Sequence, residues 1–259
     1  MIIQGDALRD YLDRLVVQFE TPDFISQDPI SIPHAYMNPA DIEISGLFAA
    51  VFSWGQRATI INKSRELMNY MGNSPYDFIL DHRQKDLKKL LEFKHRTFQT
   101  TDLLYFIRFL KMHYSKYPSL ESAFIKNESF ETLEESLNHF RAYFFSLKDF
   151  PGRTQKHISH PLTGSTCKRL CMYFRWMVRS NQRGVDFGLW KRITPADLII
   201  PLDVHVQRVS LQLGLIKHQK TNWQAVIELT DRLKDFDRAD PVKYDFALFN
   251  LGIQKLPLL

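Results

Sequence analysis

The chain has 259 residues, 44% of them hydrophobic and 24% charged. That is enough to bury one large core or two compact lobes, and too apolar for a disordered protein. Ten glycines are few for a turn-rich β fold, and a net charge of +5 with a pI near 9.1 favours an acidic partner.

Cys167 and Cys171 are the only cysteines. They argue against a disulfide framework, point to a reducing compartment, and cannot supply the four thiolates of an iron–sulfur cluster. Neither a metal nor another cofactor is expected. The opening "MIIQGDALRDYLDRL" carries Asp6 and Asp10 and does not read as a signal peptide. No run of 18 apolar residues offers a membrane span.

Helical periodicity dominates in chain order. "DALRDYLDRLVVQF" (6–19) spaces its apolar residues for an amphipathic helix. "NPADIEISGLFAAVFSW" (38–54) opens with Asn38 as N-cap and Pro39 at N1, and its apolar run reads as a buried helix. "RATIINKSRELMNYMG" (57–72) stops at Gly72. "TDLLYFIRFLKMHYSKY" (101–117) opens on a Thr-Asp cap. In "SFETLEESLNHFRAYFFSL" (129–147), Glu131 follows Ser129 one residue short of capping-box spacing. "PADLIIPLDVHVQRVSLQLGL" (195–215) breaks at Pro201 and restarts at Asp203. "TNWQAVIELTDRLKDF" and "DPVKYDFALFNLGI" close the series. Alternating patterns are nearly absent, so an all-α fold is expected.

Charge is concentrated. From Pro151 to Arg192 nine Lys/Arg (Arg153, Lys156, Lys168, Arg169, Arg175, Arg179, Arg183, Lys191, Arg192) face the single acid Asp186. The window's net +8 leaves −3 for the rest of the chain. Such a stripe reads either as a nucleic-acid footprint or as a solvated charged face. Within it, "PLTGSTCKRL" has Pro161 and Gly164 as breakers and Ser165 or Thr166 as N-cap of a helix whose tip suits a phosphate. On that helix Leu170, Phe174 and Met177 form an apolar stripe. Lys168, Arg175 and Arg179 share another face at i, i+7, i+11. Asp203, directly after Pro201-Leu202, reads as an N-cap, as a functional carboxylate, or as both.

These segments resemble the helix-hairpin-helix (HhH-GPD) DNA glycosylase superfamily. In "LTGSTCK", Leu162, Gly164 and Lys168 fall on the Leu, first Gly and catalytic Lys of Leu-Pro-Gly-Val-Gly-x-Lys. In "IPLDVHVQRVSLQLGL", Asp203, His205, Val206, Arg208, Val209, Leu213 and Gly214 match Val-Asp-Thr-His-Val-x-Arg-Val-x-x-Arg-Leu-Gly. "LFAAVFSWGQRATIINKSRELMNYM" resembles the early helix pair through Ser53, Asn62 and Lys63, with Gln56 displaced by one. Thr166 stands where the hairpin has its second glycine. The 35 residues from Lys168 to Asp203 include the insertion "RSNQRGVDFGLWKRITPAD", a long spacing similar to archaeal-type 8-oxoguanine DNA glycosylases. The chain also looks like an uncharacterised bacterial family with "CKRLxMFLRWMVR" and "DPVKYDFALF" motifs.

The resemblance implies a two-lobed fold with DNA in a cleft between the lobes. One lobe is a central one over 41–179 that ends in the hairpin. The other comprises 1–40 and 180–259 and carries the catalytic Asp. It implies base-excision repair of DNA carrying a damaged base, with 8-oxoguanine the substrate, and AP-lyase activity through a Schiff base on Lys168. That attack needs a neutral amine, whereas an ordinary lysine is protonated at pH 7. Cys167, Met172, Phe174 and Arg169 are candidates for favouring the neutral form, and Asp203 for stabilising the cationic sugar. Gly164, Ser165, Thr166, Arg169, Arg175, Arg179 and His205 would hold the backbone, with His157 and His160 either phosphate contacts or plain surface. Gln56 and Arg57 would fill the gap left by a flipped base, and Trp54, Trp176, Phe187 and Trp190 are candidates for its pocket or for core. A bacterial, cytoplasmic, nucleoid-associated monomer is expected.

Two other motifs fail. "STCK" fits Ser-x-x-Lys, but the Lys-Thr-Gly partner and the sheet of β-lactamases are missing. Gly164–Lys168 lacks the strand and the second glycine of a P-loop. The competing function is a non-catalytic helix-hairpin-helix DNA-binding protein, in which Lys168 is only a charge.

Overall fold

The computed structural model describes residues 5–127 and 129–254. Among them helices account for 64% and strands for 2%, so the fold is all-α. The chain splits into two compact units. One comprises Met1–Phe24, Thr132–Glu134 and His160–Leu259; the other comprises Ile25–Glu131 and Glu135–Ser159. These bounds differ from the expected 41–179 division, because the hairpin helix clusters with the residues that carry Asp203.

Helix α1 (Asp6–Phe19) buries Leu8, Leu12, Leu15 and Val16 in the first unit. The second unit begins with 3₁₀ turns and then α2 (Pro39–Phe52), which Asn38 caps by accepting from the Ala40 N–H at 2.9 Å. Every residue from Ala40 to Phe52 is buried, as a helix without a polar face requires. α3 (Arg57–Tyr70), α4 (Pro75–Asp81) and α5 (Gln84–Leu87) follow, then a hairpin of β1 (Lys94–His95) and β2 (Phe98–Gln99). α6 (Thr100–Tyr114) and α7 (Leu133–Phe144) complete the series. The expected Thr-Asp cap of α6 is replaced by Gln99, whose N–H donates to Asp102 at 2.9 Å, so Asp102 sits one turn inside. Phenylalanines build this core: Phe109 and Phe144 have centroids 4.5 Å apart, Phe124 and Phe140 4.0 Å.

The first unit resumes with α8 (Lys168–Val178), α9 (Val204–Gln212), α10 (Trp223–Lys234) and α11 (Asp245–Gln254). α11 packs on α9 and on α1. A Cβ at Gly252 would lie 2.9 Å from the His205 Cβ and 3.0 Å from its carbonyl, so only glycine lets α9 come this close. The insertion after α8 folds back over it. Phe187 N–H donates to the Trp176 carbonyl at 2.8 Å and Trp190 N–H to that of Met177 at 2.9 Å. The Trp190 ring meets Tyr173 and Phe174 edge-on, each at 5.3 Å.

Candidate active site

Lys168 is the first residue of α8, and Asp203 is the cap of α9. The turn before α8 is built from Pro161–Thr163, with Gly164 left-handed at φ 75°. The Gly164 carbonyl accepts from Trp223 N–H at 3.0 Å, which ties the turn to the start of α10. The helix begins later than expected: neither Ser165 nor Thr166 caps it. The N-cap is Cys167, a left-handed non-glycine at φ 49° whose N–H donates to Ser165 Oγ at 3.2 Å. Thr166 has no positive φ, so a threonine at the position of the hairpin's second glycine costs no backbone strain.

Asp203 Oδ1 accepts from the N–H groups of His205 and Val206, both at 2.9 Å. Its Oδ2 lies 3.7 Å from Lys168 Nζ, and the two side chains are 26% and 19% exposed, which leaves the pair open to a ligand. The carboxylate is therefore both a helix cap and the counter-ion of the lysine.

Another ionisable group, which the motifs did not single out, binds Arg175 on the same helix as Lys168. Asp245 opens α11 and is buried. Burial pushes its carboxyl up to about 6; Arg175 and Lys168 oppose that shift and the charge of Asp203 adds to it. The sequence signal was present in "DPVKYDFALF", where a lone acid starts an otherwise apolar helix.

Arg175 and Arg179 stand elsewhere than expected. They are 4% and 5% exposed and face carboxylates inside the unit. Arg175 binds Asp245 through Nη1 and lies 3.4 Å from Asp186 through Nε. Arg179 contacts Glu20 at 2.7 Å, Asp186 at 2.6 Å and Asp240 at 2.8 Å. Burial alone would lower the Arg179 guanidinium; Asp186, Asp240 and Glu20 together push it above its usual range. Two fully buried arginines require such carboxylates, and Asp186, in the insertion, serves both.

Trp176 and Trp190 are likewise core residues, 0% and 2% exposed. Phe187 is half-buried beside α8. Arg169 is half-buried, and burial lowers its guanidinium below the usual range. His205 is half-buried against Gly252, while Gly164 is exposed and Ser165 and Thr166 are half-buried at the turn. His157 is buried and sits 3.3 Å from Asp102, not at the surface. In the other unit, Trp54 is half-buried under the Arg96 guanidinium at 4.4 Å, and exposed Gln56 and half-buried Arg57 start α3.

Among the described residues no group of three or more His, Cys, Asp or Glu could hold a metal ion; both cysteines are buried and neither is in a disulfide. No helix there is long and apolar enough to cross a membrane. No curated protein and no solved structure matches the chain. Over residues 28–254 it matches the family described as "Protein of unknown function (DUF2400)", and with most of its length covered the chain belongs to that family.

Proposed function

We propose that this chain is a DNA glycosylase of the helix-hairpin-helix kind with AP-lyase activity, and that it removes an oxidised purine, 8-oxoguanine first. The observation that carries the reading is the meeting of Lys168 Nζ and Asp203 Oδ2 at 3.7 Å, from segments 35 residues apart in sequence. The Lys168 amine attacks C1′ of the flipped nucleotide, the base leaves, and a Schiff base forms before the strand is cut. Asp203, held by two amide N–H groups, stabilises positive charge on the sugar without moving. The substrate rests on the long spacing between the two motifs, which is similar to that of archaeal-type 8-oxoguanine DNA glycosylases.

Borohydride reduction of the protein mixed with 8-oxoguanine duplex tests this reading. The wild type yields a covalent protein–DNA adduct, and Lys168→Ala and Lys168→Arg yield none. Asp203→Asn loses far more turnover than DNA affinity.

One observation favours a second reading. Asp203 has a complete structural task as cap and counter-ion, and a DNA-binding module needs no more. That module would keep salt-sensitive binding in Lys168→Arg and form no adduct on any lesion.

A further inference from the structure

The basic stripe from Pro151 to Arg192 loses Arg175 and Arg179 to buried carboxylates. Another row of cations lies in the other unit and stays at the surface. From Lys85 to Arg96, five cations (Lys85, Lys88, Lys89, Lys94 and Arg96) stand against two acids, Asp86 and Glu92. All five are exposed, and none forms an ion pair among the described residues; Asp86 is engaged by Arg83 at 3.7 Å.

The segment has two faces. Leu90, Phe93, His95 and Phe98 are buried, and Thr100 Oγ1 donates to the Leu91 carbonyl at 2.6 Å. In the β1–β2 hairpin Lys94 pairs with Gln99 and His95 with Phe98, so one side of the ribbon is core and the other faces solvent. α5 and the 3₁₀ turn Lys88–Leu90 carry the cations on from the hairpin. Arg96 at the tip is held in place. Its backbone is left-handed at φ 54°, a conformation that glycine or asparagine adopts at less cost. Its guanidinium lies 4.4 Å over the Trp54 ring. Gly55 makes the room, since a Cβ there would lie 2.5 Å from Arg96 Nη1. Strain of this kind persists only where the surroundings impose it, and here it fixes a guanidinium at the surface with no carboxylate to answer it.

We propose that the face from Lys85 to Arg96 is a separate nucleic-acid contact that takes the phosphate backbone of DNA. Arg96 grips one phosphate through its planar fork of N–H groups, and the lysines supply charge along the strand. An anionic membrane fits this face less well. A helix that lies on lipid keeps an apolar face for it, whereas this segment spends its apolar side on the core and exposes only Leu91. A fluid headgroup layer also offers a fixed guanidinium no fixed partner. The surface uses none of the chemistry assigned to Lys168, so it serves an enzyme and a binding module alike.

Fluorescence anisotropy of the full-length protein with a short labelled duplex free of lesions tests the assignment across a series of salt concentrations. The triple variant Lys88→Gln, Lys89→Gln, Lys94→Gln lowers the slope of log affinity against log salt by about 2–3. Arg96→Lys keeps the charge and loses the fork, so affinity falls about tenfold while the slope holds. A wild-type slope in the triple variant overturns the surface, and wild-type affinity in Arg96→Lys overturns the grip assigned to Arg96. Failure of the wild type to bind the duplex at low salt overturns both. Vesicles of phosphatidylserine and phosphatidylcholine form the other arm: a triple variant that leaves the vesicles and keeps the wild-type duplex slope makes this a membrane face and ends the proposal. Borohydride adducts formed beside an unchanged slope leave the glycosylase reading without this surface. A reduced slope with no adduct from any lesion ends the glycosylase reading and upholds the surface.

Discussion

Asp245 is the residue at which burial and charge can be weighed against each other in a stability experiment. Its folded carboxyl titrates at about 6 rather than at its ordinary value of 3.8. The folded state therefore binds the proton more tightly than the unfolded one. This contribution is fully present below pH 3.8 and is lost as pH rises through 6. The loss amounts to about 3 kcal/mol, at about 1.4 kcal/mol per pH unit. Comparing the melting temperatures of wild type and Asp245→Asn from pH 3.5 to 7.5 isolates it. The wild type loses ground to the variant across pH 4–6, and a constant difference across that range contradicts the assignment. Asp186 gives a harsher test. It is fully buried between two arginines, and Asp186→Ala leaves Arg175 and Arg179 short of charge, at a cost of about 3–5 kcal/mol in urea unfolding.

At the scale of elements, the site depends on how tightly α9 sits on α11, since α9 carries Asp203 at its tip. Gly252→Ala places a Cβ 2.9 Å from His205, and overpacking of this kind costs about 1–3 kcal/mol. The predicted signature is double: a lower urea midpoint, and slower adduct formation although neither Lys168 nor Asp203 is altered. A variant with a lowered midpoint and wild-type adduct rates would show that the α9–α11 contact does not position the cap. The helices themselves were legible. The periodicity over 6–19 delimits α1, and Asn38-Pro39 and Asp203 mark the starts of α2 and α9, because caps and apolar spacing are local signals. The short α4, α5 and β1–β2 were not legible, since a few residues hold too little pattern to separate from a loop. Nor was the N-cap at Cys167, whose left-handed backbone no residue preference announces.

At the scale of the whole molecule, the basic stripe is smaller than its sequence suggests. Helical spacing gave Lys168, Arg175 and Arg179 one face, but could not reveal that acids as remote as Glu20, Asp240 and Asp245 turn two of them inward. A cation facing water and one facing buried carboxylates have the same period. Charge counted along the chain thus overstated the exposed positive surface. If the protein binds DNA, the exposed Lys191 and Arg192 contribute to the salt dependence. Replacing either with alanine lowers the slope of log affinity against log salt by about 1. Arg179→Met weakens the fold and leaves that slope unchanged; a reduced slope would mean that this arginine reaches phosphate after all.

The central claim is that the Lys168 amine forms a covalent bond with DNA. The most direct test is to digest the borohydride-treated complex with 8-oxoguanine duplex and locate the adduct by tandem mass spectrometry. The deoxyribose-derived mass is predicted on the peptide containing Lys168 and on no other. An adduct on a different lysine, or an unmodified Lys168 under conditions where the duplex is bound, would contradict it.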